Sequence, residues 1–328
     1  MPVTTVPATS TKVALRPDPL LPTPEPPLAM SPEMSGFQPP EPLHVCHVFG
    51  PDRLGVPIVL DSPHSGAMRP PDFGCKLTDE DLRDAQDTHI DTLYLPATEL
   101  GIRLLAAQFP RTYIDVNRHE GDVDMALLDG PWPGILQLSG KARLGKALAW
   151  RTLDDGRPLY DAPLSVQAMQ WRIAHYHRPY HAALKRLLDE AFDRFGCVYH
   201  LNCHSMNPVS GFMGEGGPGN ARADFVLGDR DGTTCSTDFT AFVQQSLAAH
   251  GYDVAVNHPF KGVELVRAYA QPAQGRHSLQ IEINKRIYMD MATGQPHANF
   301  PILQQQLTKL LADISSHFLA VSSHQGPP

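Results

Sequence analysis

Several apolar runs in this sequence end in side chains suited to holding a metal ion or an anion. The run PIVLD (57–61) continues as Ser62-Pro63-His64-Ser65-Gly66, and CVYHLN (197–202) continues as Cys203-His204-Ser205-Met206. TYIDVN (112–117) ends in Asn117, followed by Arg118, and SLQIEIN (278–284) carries Glu282 near its end. Between the first two of these lies Asp87-Thr88-His89-Ile90-Asp91. Two neutral imidazoles and one carboxylate make a three-ligand zinc site that leaves a position open for water. His64 and His204 supply the imidazoles, and Asp87 or Asp91 supplies the carboxylate. Spacing does not choose between the two acids, because residues four apart share one face of a helix. One histidine at a strand end is more often structural or solvated than a ligand. Two of them, together with Glu282 and an Asn-Arg pair, at the ends of four runs point to a built site.

Those ends come together only if the runs are neighbouring strands. PIVLD, RLLAAQ (103–108), TYIDVN, CVYHLN, DFVLG (224–228), DVAV (253–256) and SLQIEIN are short, rich in Val, Ile and Leu, and bounded by Gly, Pro, Asn or Asp. That pattern predicts strands. Helical periodicity covers roughly 78–100, 165–194, 237–250 and 299–320, with Thr78 as a cap ahead of Asp79, Glu80 and Asp81. Near-continuous apolar strands alternating with helices predict a three-layer α/β/α sandwich around a mixed, mostly parallel sheet. In such sheets ligands bind beyond the carboxyl ends of the strands, where the candidate residues stand. Residues 119–163 read as a long insertion of the kind that often carries function. Residues 1–42 hold twelve of the 32 prolines and read as a disordered tail without a catalytic part, leaving one domain over 43–328.

Composition narrows the function classes. A formal charge of −8 and a pI near 6.0 argue against a nucleic-acid partner, which basic domains favour. No apolar run approaches the roughly 20 residues of a membrane span, and no secretory signal is visible at the N-terminus. Five cysteines without CxxC spacing argue against a disulfide framework or a thiolate zinc site. The expectation is a soluble cytoplasmic protein acting on a small molecule.

The segments SPHSG (62–66), DTHIDTLY (87–94), YIDVNR (113–118), CHSM (203–206), LGDRDGTTC (227–235), HPFKGVELVRAYAQP (258–272) and HSLQIEINKRIYMD (277–290), in this order, resemble the N-formylglutamate amidohydrolase (deformylase) family. That family looks like a distant relative of the zinc carboxypeptidases and of aspartoacylase. The resemblance implies a zinc-dependent hydrolase that releases formate from N-formyl-L-glutamate in histidine degradation. His64 matches the first metal histidine, His204 the second and Glu282 the catalytic carboxylate. Ala67 stands where the carboxypeptidases have a ligand glutamate, so the resemblance points to Asp87 as the third ligand, with Asp91 second. Asn117-Arg118 resembles the pair that clamps a substrate carboxylate.

The chemistry asks for a metal that makes bound water acidic and for Glu282 to move the proton to the leaving amine. It also asks for an oxyanion donor, Arg111 or Arg118. A dicarboxylic substrate needs cations, of which arginine offers the bidentate fork; Arg118, Lys261, Arg267 and Arg276 are the candidates. The same ligands accept Co2+, Mn2+ or Fe2+ in place of Zn2+. Other features read blandly. His177 and His181 lack the glutamate of a helical zinc motif and have Pro179 between them, GEGGPGN (214–220) lacks the phosphate-loop lysine, Cys203 reads as a small buried thiol, and Asp229-Arg230-Asp231-Gly232 reads as a turn. Two alternatives stand beside the deformylase: a deacylase of another N-acyl amino acid, and a ligand-binding homologue without activity.

Overall fold

The computed structural model describes residues 38, 40–42, 44–212 and 217–322; most of the proline-rich stretch lies outside them, as do the tail's assigned disorder and part of the GEGGPGN loop. Seven strands, β1 (Cys46–Phe49), β2 (Ile58–Ser62), β3 (Arg103–Ala107), β4 (Val198–Met206), β5 (Phe225–Gly228), β6 (Val254–Val256) and β7 (Arg276–Asn284), form one sheet in the order β1-β3-β2-β4-β7-β5-β6. The centre, β3-β2-β4-β7, is parallel; β1 joins β3 and β5 joins β7 antiparallel, and β5 and β6 run parallel. The helices are α1 (Asp79–Leu82), α2 (Ile90–Tyr94), α3 (Val166–Arg172), α4 (Arg178–Phe195), α5 (Thr237–Ala248), α6 (Glu264–Tyr269) and α7 (Phe300–Ser322). No helix of the described residues is long and apolar enough to cross a membrane.

The central strands are buried on both faces, which explains their near-continuous apolar sequences. One face carries Leu60, Leu201, Cys203, Leu279, Ile281 and Ile283 into a core shared with α2, α5 and α7. The other carries Val59 and Leu105 against α4, whose buried Tyr180, Leu184, Leu187 and Ala191 repeat at helical spacing. Alternation along a strand puts residues i, i+2 and i+4 on one face. His200, Asn202 and His204 of β4 therefore point to the α4 side, alongside their register partners Ser278, Gln280 and Glu282 of β7.

Three expected elements differ. TYIDVN is not a strand but a buried loop after β3. Tyr113 N and Arg118 N close turns on Pro110 O and Asp115 O, and Asp115 N bonds Leu148 O. Its carbonyls are held by side chains: Arg172 on Tyr113 O at 3.0 Å, His181 on Val116 O at 2.8 Å and His177 on Arg118 O at 3.0 Å. Tyr113, Ile114 and Val116 are fully buried, so the sequence records burial rather than sheet pairing. The helix expected over 78–100 breaks at residues 86–89. Asp87 N donates to His64 O at 3.1 Å, and His89 adopts φ 67° with its Nε2 on Gly294 O at 2.8 Å. Asp87 thus lies in the break and Asp91 in α2, so they do not share one helix face. The helix expected over 165–194 contains a π turn at Ile173–His177, which sets His177 and His181 over the loop they hold. The 119–163 stretch folds back onto the loop at 112–117, with Leu148 O on Asp115 N and Trp150 N on Thr112 O, and β1 and α6 were not foreseen.

Gly66 lets the His64 loop pass against the end of β3. A Cβ there would meet the Gln108 carbonyl carbon and lie 2.5 Å from Phe109 N and 2.6 Å from Ala107 O. These are backbone atoms that cannot rotate away. Overpacking typically costs about 1–3 kcal/mol, and Gly66→Ala is expected to lose at least that much in urea unfolding. A wild-type midpoint for this variant would show that the loop has room it does not have in this structure.

Candidate active site

At the base of the site, Asp61 of β2 is fully buried. It accepts from His200 Nε2 and Asn202 Nδ2, each at 2.8 Å, and from the Tyr180 hydroxyl at 2.9 Å. Burial opposes its ionisation, but the bonds from His200 and Asn202 outweigh it and hold the carboxyl below its usual value. Because the Asn202 amide nitrogen is committed to Asp61, its Oδ1 is left as an acceptor, and it meets His204 Nε2 at 2.7 Å. A proton on that nitrogen of His204 satisfies this oxygen; Asn117 Nδ2 stands 3.0 Å from the same nitrogen.

His64 is fixed in the same way. Its Nε2 lies 2.8 Å from Asp115 Oδ1, an acceptor only. Asp115 is fully buried and also accepts from Asn117 N at 2.9 Å and from Arg111 Nε and Nη2 at 3.1 and 2.8 Å. Burial again opposes ionisation, and Arg111, His64 and Arg118 outweigh it, holding the carboxyl well below the usual range.

With both Nε2 atoms protonated, the Nδ1 atoms of His64 and His204 present lone pairs 3.1 Å apart. Asp87 Oδ2 stands 3.2 Å from the first and 2.8 Å from the second, while Asp87 Oδ1 accepts from the Ser205 hydroxyl at 3.1 Å. Three electron-pair donors converge on one point, with the outer nitrogens of both rings facing acceptors and the outer oxygen of Asp87 held by a hydroxyl donor. This donor set, two imidazoles and a carboxylate within 4.8 Å of one another, fits a divalent cation, and histidine ligands ordinarily donate their second N–H to such partners. Asp91 is not part of it; its Oδ1 accepts from Thr92 N at 2.8 Å.

Glu282 pairs in register with His204, so the two side chains stand together on the same face. Its Oε1 accepts from Gln280 Nε2 at 2.8 Å. Burial, with Asp87 adding to it against the opposing charge of His204, raises its pKa to about 7. A carboxylate of that kind sits in the range useful for moving protons near neutrality.

Above these residues opens a cavity of about 440 Å³ lined by Asp87, His204, Glu282, Asn117, Arg118 and Arg111, and by Lys146, Trp150, Arg222, Lys261 and Lys285 among others. Asn117 is oriented by Leu265 N, which donates to its Oδ1 at 2.9 Å. Lys261 reaches the rim but is largely exposed and paired with Asp231 at 2.7 Å. Arg267 and Arg276 do not line the cavity, contrary to expectation. Arg267 forks onto Glu264 at 2.9 and 2.7 Å. Arg276 begins β7, far from the strand end that carries Glu282, and meets Asp189 at 3.0 Å.

Sequence reasoning missed Asp115, Asn202, Lys146, Arg222 and Lys285. Alternation back from His204 would have picked out Asn202, but no local signal marks the three cations, which come from the long insertion, the turn before β5 and the residue after β7. The bland readings stand as structure. His177 and His181 clamp the loop, Cys203 has its thiol pushed well up by burial, and Gly232 N closes a turn on Asp229 Oδ1 at 2.8 Å.

The chain matches the N-formylglutamate amidohydrolase family profile over residues 56–289. It is 31% identical over 246 residues to an N-formylglutamate deformylase of Pseudomonas aeruginosa, covering 73% of this chain and 84% of that one. A deformylase of Pseudomonas putida is 30% identical over 240 residues, with 72% and 82% covered. The crystal structure of the N-formylglutamate amidohydrolase from Ralstonia eutropha superposes with a TM-score of 0.79 at 44% identity, covering 84% of this chain and 98% of that one. With the fold, the ordered segments and these relatives in agreement, the chain belongs to the N-formylglutamate amidohydrolase family.

Proposed function

We propose that the chain is a metal-dependent amidohydrolase that cleaves N-formyl-L-glutamate to L-glutamate and formate, acting in the cytoplasm in histidine degradation. The observation that carries this reading is the convergence of two Nδ1 lone pairs and Asp87 Oδ2 beside Glu282, at the floor of a cation-lined cavity. His64, Asp87 and His204 would hold the ion; Zn2+ suits the donor set, and other divalent metals also fit it. When bound there, such an ion would supply polarisation of the formyl oxygen and a lowered pKa for water near neutral pH.

The chain's own groups do the rest. Glu282 takes a proton from the attacking water and passes it to the amine nitrogen as the carbon–nitrogen bond breaks, which leaves formate and glutamate. Asp115 and Asn202 hold the two imidazoles in the tautomer that faces the ion. Arg111, with two nitrogens on Asp115, fixes that carboxylate and faces the cavity as a positive charge for the developing oxyanion. Arg118 is nearly buried, and among the described residues it engages through Nε, which donates to Lys146 O at 3.3 Å and lies 3.9 Å from Asp115 Oδ2; its two Nη atoms are left for a substrate carboxylate.

Metal analysis of the purified protein, followed by formate release across N-formyl amino acids, tests the reading as a whole. His64→Ala and His204→Ala should each lose bound metal, because a three-ligand site does not survive on two. Asp87→Asn should weaken zinc more than Asp91→Asn does in a titration. Full metal occupancy in either histidine variant, or the reverse order for the two acids, would refute the ligand set.

Glu282→Gln separates proton transfer from metal binding. The amide is nearly isosteric and still bonds to its neighbours, so metal content and melting temperature should stay at wild-type values. A general acid–base group contributes about 100- to 10,000-fold, and kcat should fall within that span. A loss below tenfold would make Glu282 a structural residue.

A further inference from the structure

Several cations around the cavity are already engaged with acids of the chain. Arg111 forks onto Asp115, Lys146 pairs with Asp154 and Lys261 with Asp231. Lys285 is different. It lines the cavity and is 2% exposed, yet its ammonium makes one hydrogen bond, to Asp84 O at 3.1 Å. No carboxylate of the described residues comes within the 4.0 Å of an ion pair. An ammonium has three donors, so two remain on a nearly buried charge at the cavity wall. Buried charges are normally paired, and here the described residues supply no anion in contact.

The substrate named above carries two carboxylates, and Arg118 also keeps donors in reserve on its Nη atoms. Arg118 enters from the loop after β3 and Lys285 from the end of β7, so the two reach the cavity from different elements. Lys285 also stands three residues beyond Glu282, which puts its charge close to the reacting end.

We propose that Lys285 is a specificity-determining residue whose ammonium binds one of the two carboxylates of an N-formyl dicarboxylic amino acid, with Arg118 receiving the other. The inference rests on the deformylase reading and deepens it: discrimination for a dicarboxylate comes from a pair of cations on opposite elements, not from the arginines of α6 and β7. Lys285 is not a metal ligand, and its role is felt through the charge of the substrate.

The test crosses enzyme charge with substrate charge. Formate release by the wild type and by Lys285→Gln, whose amide still donates to Asp84 O, is measured on three compounds. These are N-formyl-L-glutamate, N-formyl-L-glutamine, which lacks the side-chain carboxylate, and N-formyl-4-aminobutyrate, which lacks the α-carboxylate. Metal content and melting temperature are recorded alongside. A charge-assisted pair lost from the bound state lowers kcat/KM by about tenfold to a hundredfold. Lys285→Gln should show that loss on N-formylglutamate and on one of the single-carboxylate compounds, and less than about threefold on the other. The spared compound is the one missing the carboxylate that Lys285 binds.

Equal losses on all three, or no loss on any, overturn the proposal. If Lys285→Gln does not accumulate as folded protein, Lys285→Arg keeps the charge but moves it. That variant must then change the preference among the three compounds, and an unchanged preference overturns the proposal as well. A wild type that releases no formate from N-formylglutamate sinks the deformylase reading, and this inference with it. An active wild type with a uniform Lys285→Gln loss sinks only the role of Lys285.

Discussion

Two buried carboxylates that carry no metal-binding role of their own decide what the site can be. Asp115 takes the proton-bearing Nε2 of His64. Asp61, through Asn202, leaves an acceptor for the Nε2 of His204. A buried carboxylate without partners is costly by several kcal/mol, so each is surrounded: Asp61 by His200, Asn202 and Tyr180, Asp115 by His64, Arg111 and a backbone amide. Satisfying these acids requires helix α4 over β2, the loop after β3 folded beneath the long insertion, and β4 paired with β2 in register. The sheet and its helices can be understood as the scaffold that keeps two imidazole rings facing each other with lone pairs inward.

The same constraint accounts for the departures from regular structure. Asp87 leaves its helix because its carboxylate is wanted by His64, His204 and Ser205, and residues 86–89 cannot serve both a helix and that contact. The loop at 112–117 gives up strand pairing so that Asp115, Asn117 and Arg118 can face the site. Arg172, His177 and His181 replace the missing ladder by bonding its carbonyls. The π turn before α4 places the two histidines for that task. Irregular backbone here is bought with side-chain hydrogen bonds from a neighbouring helix.

This explains what the sequence could and could not disclose. Strands β2 to β7 were all legible, the central ones because burial on both faces leaves a plain apolar run. The loop at 112–117 was misread because its side chains are as buried as a strand's. His64, His204 and Glu282 stood out because each ends such a run, where ligands gather. Asp87 and Asp91 were inseparable by spacing, and only the break in the helix tells them apart in space. Arg267 and Arg276 were chosen for their charge and for lying in family-like segments. Their partners, Glu264 and Asp189, are a property of the folded surface that a sequence does not display. Lys285 was passed over for the converse reason, since a lysine after a strand looks like any surface lysine until its burial is seen.

The central claim is that hydrogen bonds to Asp115 and Asn202 aim the Nδ1 atoms of both histidines at a shared cation. Nitrogen-15 NMR of the histidine rings, recorded with and without one equivalent of zinc, tests it most directly. The account predicts that zinc displaces the Nδ1 resonances of His64 and His204 while both Nε2 atoms keep their protons. Zinc-induced displacement at Nε2 of either ring, or no displacement at either histidine, would contradict it.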